Sequence, residues 1–275
     1  MPNKILLIAV ILVCNISAYA KPKIVTSITP IASIVAMLTT DYADIVTIDN
    51  AQGCPHHYQM KPSDLDKVTD AGMLIYIDDH FDSFIQNLKG KIDGKIIKLS
   101  NIKSVNFDDS SGGKNWHFWL DLDNILALHK ELVTIISKEF PELKEEIEKN
   151  YDKSYQTITA LKELKQHTMS SIDDIVVVSD SLEHFFHPIN NQHIFKIYQN
   201  PNSSLKDYYN LEKFFTQQNV RCIVMDNHQN ADVYQKFKRK LVVLDSENWQ
   251  STDNIETLFS IKYRQMLKQL TKCYN

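Results

Sequence analysis

The sequence predicts an α/β protein of two lobes, each with a mainly parallel sheet, joined by a long rigid backbone helix. Three observations support this fold class. Short β-branched runs alternate with helical segments as far as about residue 104, the alternation resumes near residue 175, and a long helical segment separates the two blocks. Such alternation is typical of α/β units on parallel strands.

The first lobe is predicted to span residues 21–140. Its strands are indicated by the runs KIVTSI, DIVTI, MLIYI and KIIKL. Between these runs lie segments with helical periodicity, namely IASIVAMLTT, KPSDLDKVTDA and FDSFIQNL. The order strand, helix, strand predicts a parallel sheet with helical connections.

The backbone helix is predicted for residues 141–170. A helical pattern begins near Asp121 and is interrupted at Pro141, because proline lacks the N–H that a helix interior needs. The pattern then continues for about 26 residues, or roughly 39 Å. That length exceeds one small lobe, so we expect the helix to run along both.

The second lobe is predicted for residues 171–275. Its strands are indicated by IVVVSD, IFKIYQ, RCIVMD and KLVVLD, and its helices by LKDYYNLEKFFTQQ and TDNIETLFSIKYRQMLKQLTK. Two α/β lobes leave a cleft between them, where such folds bind ligands.

Residues 1–20 have the pattern of a secretory signal peptide. Lys4 precedes an apolar run from Ile5 to about Ile16, and Ala18-Tyr19-Ala20 forms a small-x-small cleavage site. The apolar run is shorter than the roughly 20 residues that span a bilayer. We therefore expect cleavage after Ala20 and export of a soluble protein of about 255 residues.

Composition excludes several function classes. The net charge of −4 is spread along the chain, and no basic run favours nucleic acid or an anionic membrane as partner. Only six glycines are present, and neither G-x-G-x-x-G nor a P-loop occurs, so a nucleotide site has no support.

Three cysteines follow the signal segment, which itself contains Cys14. In an oxidising compartment two of the three are expected to pair. Cys222 lies in a predicted buried strand and Cys273 near the C-terminus, so a bridge between them would tie the last helix to the sheet. Cys54 is then the unpaired cysteine, two residues before His56.

Candidate metal ligands follow predicted strands or precede a helix in both lobes, where sites in α/β folds are built. They are His56 and His57 in CPHHYQMKPSD, His117 in NWHFWLD, Ser179 and Asp180 after IVVV, His228 after RCIVMD, and Asp245 at the end of KLVVLD. Two imidazoles, a carboxylate and one further donor make a tetrahedral metal site.

The motifs, in this order, resemble those of the metal-binding proteins of bacterial ABC importers for zinc and manganese, especially the periplasmic zinc-uptake proteins. PHHYQMKPSD is similar to the family segment P-H-x-Y-x-x-x-P-S-D, and HFWLD to H-x-W-L-[DS]. RCIVMDNHQ resembles C-x-F-x-E-P-Q, and VVLDSE resembles L-D-P. The resemblance covers nearly the whole chain after the signal segment and implies two lobes on a backbone helix.

The resemblance implies that His56 and His117 are metal ligands and that Asp245 is a carboxylate recruited as the fourth. His57 corresponds to a non-ligand. At the third position the family has histidine or glutamate, whereas this chain has Ser179, a poor zinc ligand. Asp180, His228 or His184 would have to substitute, and His228 is our choice; Cys54 stays open as an extra thiolate.

The predicted function is therefore capture of a divalent metal, Zn²⁺ first and Mn²⁺ as the alternative, by a monomeric periplasmic protein that delivers it to an inner-membrane ABC permease. No catalysis and no small-molecule substrate are expected. Two rival interpretations are a paralogue without tight metal binding that acts in adhesion, and a secreted zinc hydrolase. The hydrolase has no support from H-E-x-x-H or G-x-S-x-G, which are both absent.

Overall fold

The first sheet contains four parallel strands in the order β2-β1-β3-β4. The computed structural model describes residues 20–49, 58–189, 191–199, 204–250 and 254–274. The strands are β1 (Lys23–Ile28), β2 (Asp44–Asp49), β3 (Met73–Tyr76) and β4 (Lys95–Lys98), and the helices between them are α1 (Thr29–Thr39) and α2 (Ser63–Val68). The predicted FDSFIQNL helix is shortened to a 3₁₀ turn, Ser83–Asn87.

The second sheet repeats the same topology, in the order β6-β5-β7-β8. Its strands are β5 (Ile175–Ser179), β6 (Ile194–Gln199), β7 (Cys222–Asp226) and β8 (Lys240–Leu244). The helices of this lobe are α5 (Leu205–Gln217), α6 (Asp232–Gln235) and α7 (Ile255–Leu270). All pairings in both sheets are parallel, which confirms the predicted fold class.

The long central segment forms α3 (Leu122–Glu139) and α4 (Lys144–Ser170), separated by a 3₁₀ turn that begins at Pro141. With 27 residues, α4 is about 40 Å long. It packs against α1 of the first lobe, against α3 and against α7 near the chain end. The backbone helix thus contacts both lobes. The division of the chain into lobes at residues 140 and 170 remains a prediction.

Alternate strand residues face different apolar clusters. Ile24 belongs to a cluster that also contains Val177 of the second lobe, whereas its neighbour Val25 faces a smaller cluster of the first lobe alone. This period of two follows from the pleat of a strand. One apolar core therefore continues from lobe to lobe and fixes how the two sheets are placed.

The predicted disulfide between Cys222 and Cys273 is confirmed, with a Cα–Cα distance of 5.5 Å. It ties the 3₁₀ turn after α7 to β7 across 51 positions. In the described part of the chain, every helix is too short or too polar to cross a membrane.

Candidate metal centre

His117 lies just before the 3₁₀ turn Phe118–Leu120, which leads into α3. Its ring packs against Trp119, with 5.2 Å between ring centroids, and its edge meets Phe81 at 6.2 Å. Nδ1–H donates a hydrogen bond to Asn115 Oδ1 at 2.9 Å. The other ring nitrogen, Nε2, faces Glu247 of the second lobe.

Asn115 is itself fixed by the second lobe. Its Nδ2 donates to the carbonyl of Asp180 at 2.7 Å, and its own carbonyl accepts a hydrogen bond from His184 Nε2 at 3.1 Å. His184 is buried, and this burial lowers its pKa. His184 therefore orients Asn115, and Asn115 orients His117, which is how a partner behind a metal-ligating histidine usually acts.

Glu247, in the loop after β8, lies between two imidazoles. Its Oε1 contacts His117 Nε2, and its Oε2 lies 3.1 Å from His228 Nε2. The Glu247 side chain is only 2% exposed. Burial alone would raise the pKa of Glu247, but the neighbouring His117 and His228 hold it well below its usual range.

The same contacts act on the two imidazoles. Burial would lower the pKa of His117, yet the Glu247 carboxylate raises it above its ordinary value. The hydrogen bond to Glu247 also raises the pKa of His228 against the opposing effect of its partial burial. The buried carboxylate of Glu247 thus has one imidazole partner from each lobe. A buried charge needs such partners, because burial removes it from water.

His228 is placed by the turn that ends β7. Its backbone N–H donates to Asp226 Oδ1 at 3.0 Å, and the second oxygen of Asp226 accepts from the backbone of Ser246 at 3.1 Å. Asp226 is buried, and burial raises its pKa. This carboxyl ties the loop after β7 to the loop after β8, and so holds His228 beside Glu247.

Ser179, at the third family position, forms hydrogen bonds with other residues of the second lobe. Its hydroxyl donates to Gln229 Oε1 at 2.7 Å and accepts from the backbone N–H of Asp226 at 2.7 Å. The neighbouring Asp180 is exposed to solvent and accepts from the Ser181 N–H. His187 is half-exposed and pairs with Asp121 at 2.8 Å.

Asp245 points to a different side of its loop from Glu247. One of its oxygens accepts from Asn227 Nδ2 at 3.1 Å and from the backbone of Asn248 at 2.8 Å. Its other oxygen lies 3.4 Å from Lys262 of α7. The structure brings His117 and His228 together, and it places the carboxylate of Glu247, not that of Asp245, between them.

His56, His57 and Cys54 lie outside the described residues. Immediately after them, Tyr58 donates to Asp64 Oδ2 at 2.8 Å, and the Lys61 N–H reaches the same oxygen at 2.7 Å. Within the described ranges, no group of three or more His, Cys, Asp or Glu side chains has the arrangement of a metal site. His117 and His228 each contact Glu247 in this arrangement.

The sequence patterns do not predict Glu247, although they predict Asp245 two positions earlier. The available signal was an acidic residue three positions beyond the end of β8, at the sheet edge that also carries His228. Trp119 explains why this loop turns inward, since its indole N–H donates to the Ser246 carbonyl at 2.9 Å.

Residues 24–273 match the family described as zinc-uptake complex component A, periplasmic. The chain belongs to this family. It is therefore a substrate-binding protein of the metal-importer class and not an enzyme, as the sequence predicts. Family membership also supports export.

Protein RP014 of Rickettsia prowazekii (strain Madrid E) is 40% identical over 261 residues, which cover 94% of this chain and 86% of RP014. Among solved structures, the periplasmic zinc-binding protein TroA from Treponema pallidum has a TM-score of 0.76 at 15% identity, with 92% of this chain and 99% of TroA covered. Zn(II)-bound AdcA from Streptococcus pneumoniae has a TM-score of 0.72 at 17% identity; 92% of this chain is covered, and it spans 57% of AdcA. These structures share the fold.

Proposed function

We propose that this protein captures a divalent transition-metal ion, zinc in preference, in the periplasm and delivers it to an ABC permease of the inner membrane. The observation that supports this most is the meeting of His117 and His228, from different lobes, at one buried carboxylate. Family membership supports the same role. Two imidazoles that converge in a cleft between lobes suit a borderline metal ion.

The proposed coordination sphere contains His56, His117 and His228, together with a carboxylate from the loop after β8, for which the resemblance suggests Asp245. Such a sphere replaces the hydration shell of the ion and leaves no position for a bound water to react. A histidine-rich, four-coordinate site favours zinc, whereas manganese prefers more oxygen ligands. The loaded protein would dock as a monomer on the permease.

The test is a competition titration of the metal-stripped protein, residues 21–275, with zinc and then manganese against a chromophoric chelator. We expect one tight equivalent of zinc and weaker binding of manganese. Tighter manganese binding would assign the protein to manganese uptake. Absence of saturable binding of either ion would contradict the capture function.

A further inference from the structure

A cavity of about 840 Å³ lies beside the C-terminal half of α4, separate from the candidate metal centre. One wall is α4, with Lys165 and Met169; the others are the start of α3, at Asp121, and the segment before β6, with Pro188 and Ile189. Three residues of the candidate metal centre are outside its lining: His117, His228 and Glu247. Clefts of about 300–1,000 Å³ are the size that binds small molecules.

The lining of this cavity includes a buried lysine, Lys165, which is only 5% exposed. A lysine ammonium has three N–H donors and accepts no hydrogen bond. One donor of Lys165 reaches the His187 carbonyl at 2.7 Å, and the cation lies over the Phe185 ring, 5.8 Å from its centroid. These are its contacts within the described residues, and neither partner carries a negative charge.

The carboxylates of Asp121 and Asp123, which also line the cavity, have other partners. Asp121 accepts from the Asp123 backbone N–H at 2.9 Å and pairs with His187 at 2.8 Å, and Asp123 pairs with Lys162. Burial lowers the pKa of Lys165 to about 8, although Asp121 and Asp123 act to raise it. The positive charge of Lys165 is therefore only partly balanced by the protein.

A buried ammonium is stabilised most by an anion within hydrogen-bond distance, because the ion pair replaces the water that burial removed. The rest of the lining combines apolar side chains, such as Met169 and Ile189, with side-chain amides, such as Gln166 and Gln192. A ligand that suits both parts has a charged group and an apolar group.

We propose that this cavity binds a small organic carboxylate with an apolar side group, and that Lys165 Nζ donates to the carboxylate of this ligand. The cavity is then a second binding site of the protein, in addition to the metal site. The contact between Lys165 and the His187 carbonyl keeps the ammonium at the wall of the cavity.

The test uses N-acetyl-leucine and N-acetyl-leucinamide, two probes that differ only in the charged group. The readout is the ¹³C signal of the Met169 methyl group in methionine-labelled protein, assigned with the variant Met169→Leu. We expect a saturable shift with N-acetyl-leucine and a dissociation constant of about 1 mM, as for a small ligand. The amide should bind at least about 10-fold more weakly, because it cannot form the charge-assisted hydrogen bond.

Lys165→Gln and Lys162→Gln are matched variants, because each removes one positive charge from the same helix and the same cavity. The Lys162 side chain is 40% exposed and already pairs with Asp123. We expect Lys165→Gln to weaken binding of N-acetyl-leucine by at least about 10-fold, and Lys162→Gln to stay within about 3-fold of the wild type.

Three results would each overturn the proposal: no saturable shift with N-acetyl-leucine, equal binding of the acid and the amide, or wild-type affinity in Lys165→Gln. They would mean that Lys165 only ties α4 to the backbone at His187. The titration is done on metal-stripped protein, so it is independent of the metal-capture function.

If circular dichroism shows that Lys165→Gln does not fold, a crystal structure of the wild type with N-acetyl-leucine replaces that variant. A carboxylate oxygen at about 2.7–2.9 Å from Lys165 Nζ supports the proposal. A carboxylate bound away from Lys165 would overturn it.

Discussion

At the residue scale, hydrogen bonds fix the position of each candidate ligand that the structure describes. His117 is directed by Asn115, and Asp226 directs His228 by accepting from its backbone. Asp245 and Glu247 are only two positions apart, yet one carboxylate pairs with Lys262 and the other with two imidazoles. Residue type and sequence position alone therefore do not determine the ligand set.

The first prediction concerns the residue that orients His117. Replacement Asn115→Ala removes the acceptor of the His117 Nδ1–H and the donor to the Asp180 carbonyl. We expect zinc affinity to fall by about 10–100-fold, the usual cost of losing a hydrogen-bond partner of a ligating histidine. Chelator competition measures the change.

Asn106→Ala is the matched control for Asn115→Ala. Asn106 is an exposed residue earlier in the same loop, and its side-chain oxygen accepts a local hydrogen bond from the Asp108 backbone N–H. Equal zinc affinities in the two variants would mean that Asn115 does not position the ligand.

Sequence patterns predicted His117 and His228 as candidates because a motif marks each of them and His228 also follows the end of a strand. They did not predict Glu247, because the inward turn of its loop depends on the contact between Trp119 and Ser246, residues separated by 127 positions. They also could not show that Lys262 engages Asp245, since that contact depends on how α7 packs against β8. Long-range side-chain contacts are the part that local patterns omit.

At the element scale, three helices meet at a buried polar group. His129 of α3 is fully buried, with Nε2–H donating to the Ile34 carbonyl of α1 at 3.0 Å and Nδ1 accepting from the Ser154 hydroxyl of α4 at 2.7 Å. Both ring nitrogens are satisfied in the neutral form. These contacts fix the backbone helix against the first lobe.

The second prediction follows from the burial of His129, which lowers its pKa from 6.5 to about 4. The unfolded chain binds a proton more readily at this site than the folded chain, so stability is lost as pH falls from 6.5 toward 4. A shift of this size corresponds to roughly 3 kcal/mol in the free energy of unfolding. Urea denaturation across this pH range measures it.

His129→Gln is the reference for that experiment, because glutamine does not titrate and its side-chain amide can both donate and accept a hydrogen bond. Other buried groups also titrate, among them Asp82, whose pKa burial raises to about 7. The difference between wild type and variant isolates His129. Parallel pH curves for the two proteins would contradict the assigned role.

The third prediction concerns the disulfide that joins β7 to the turn after α7. Closure of this 51-position loop is worth about 4 kcal/mol by the loop-entropy estimate. We expect Cys273→Ser to lower the free energy of unfolding by about that amount, measured by denaturant titration without reductant. Adding reductant should destabilise the wild type similarly and leave the variant unchanged; a variant as stable as the oxidised wild type would contradict this.

At the scale of the whole molecule, two sheets of the same strand order share one apolar core, and α4 packs against a helix of each lobe, α1 and α7. The alternation of strand and helix patterns predicted this architecture correctly because each lobe is built from regular βα units. The cleft between the lobes then follows, and it brings His117 and His228 together. A site of this kind is complete only when both lobes contribute.

The central claim is that one metal ion is held by both lobes, and a zinc titration of the wild type, His117→Ala and His228→Ala against a chromophoric chelator tests it most directly. The account predicts one tight equivalent in the wild type and a large loss of affinity in each variant. Unchanged zinc affinity in either variant would contradict a site shared between the lobes.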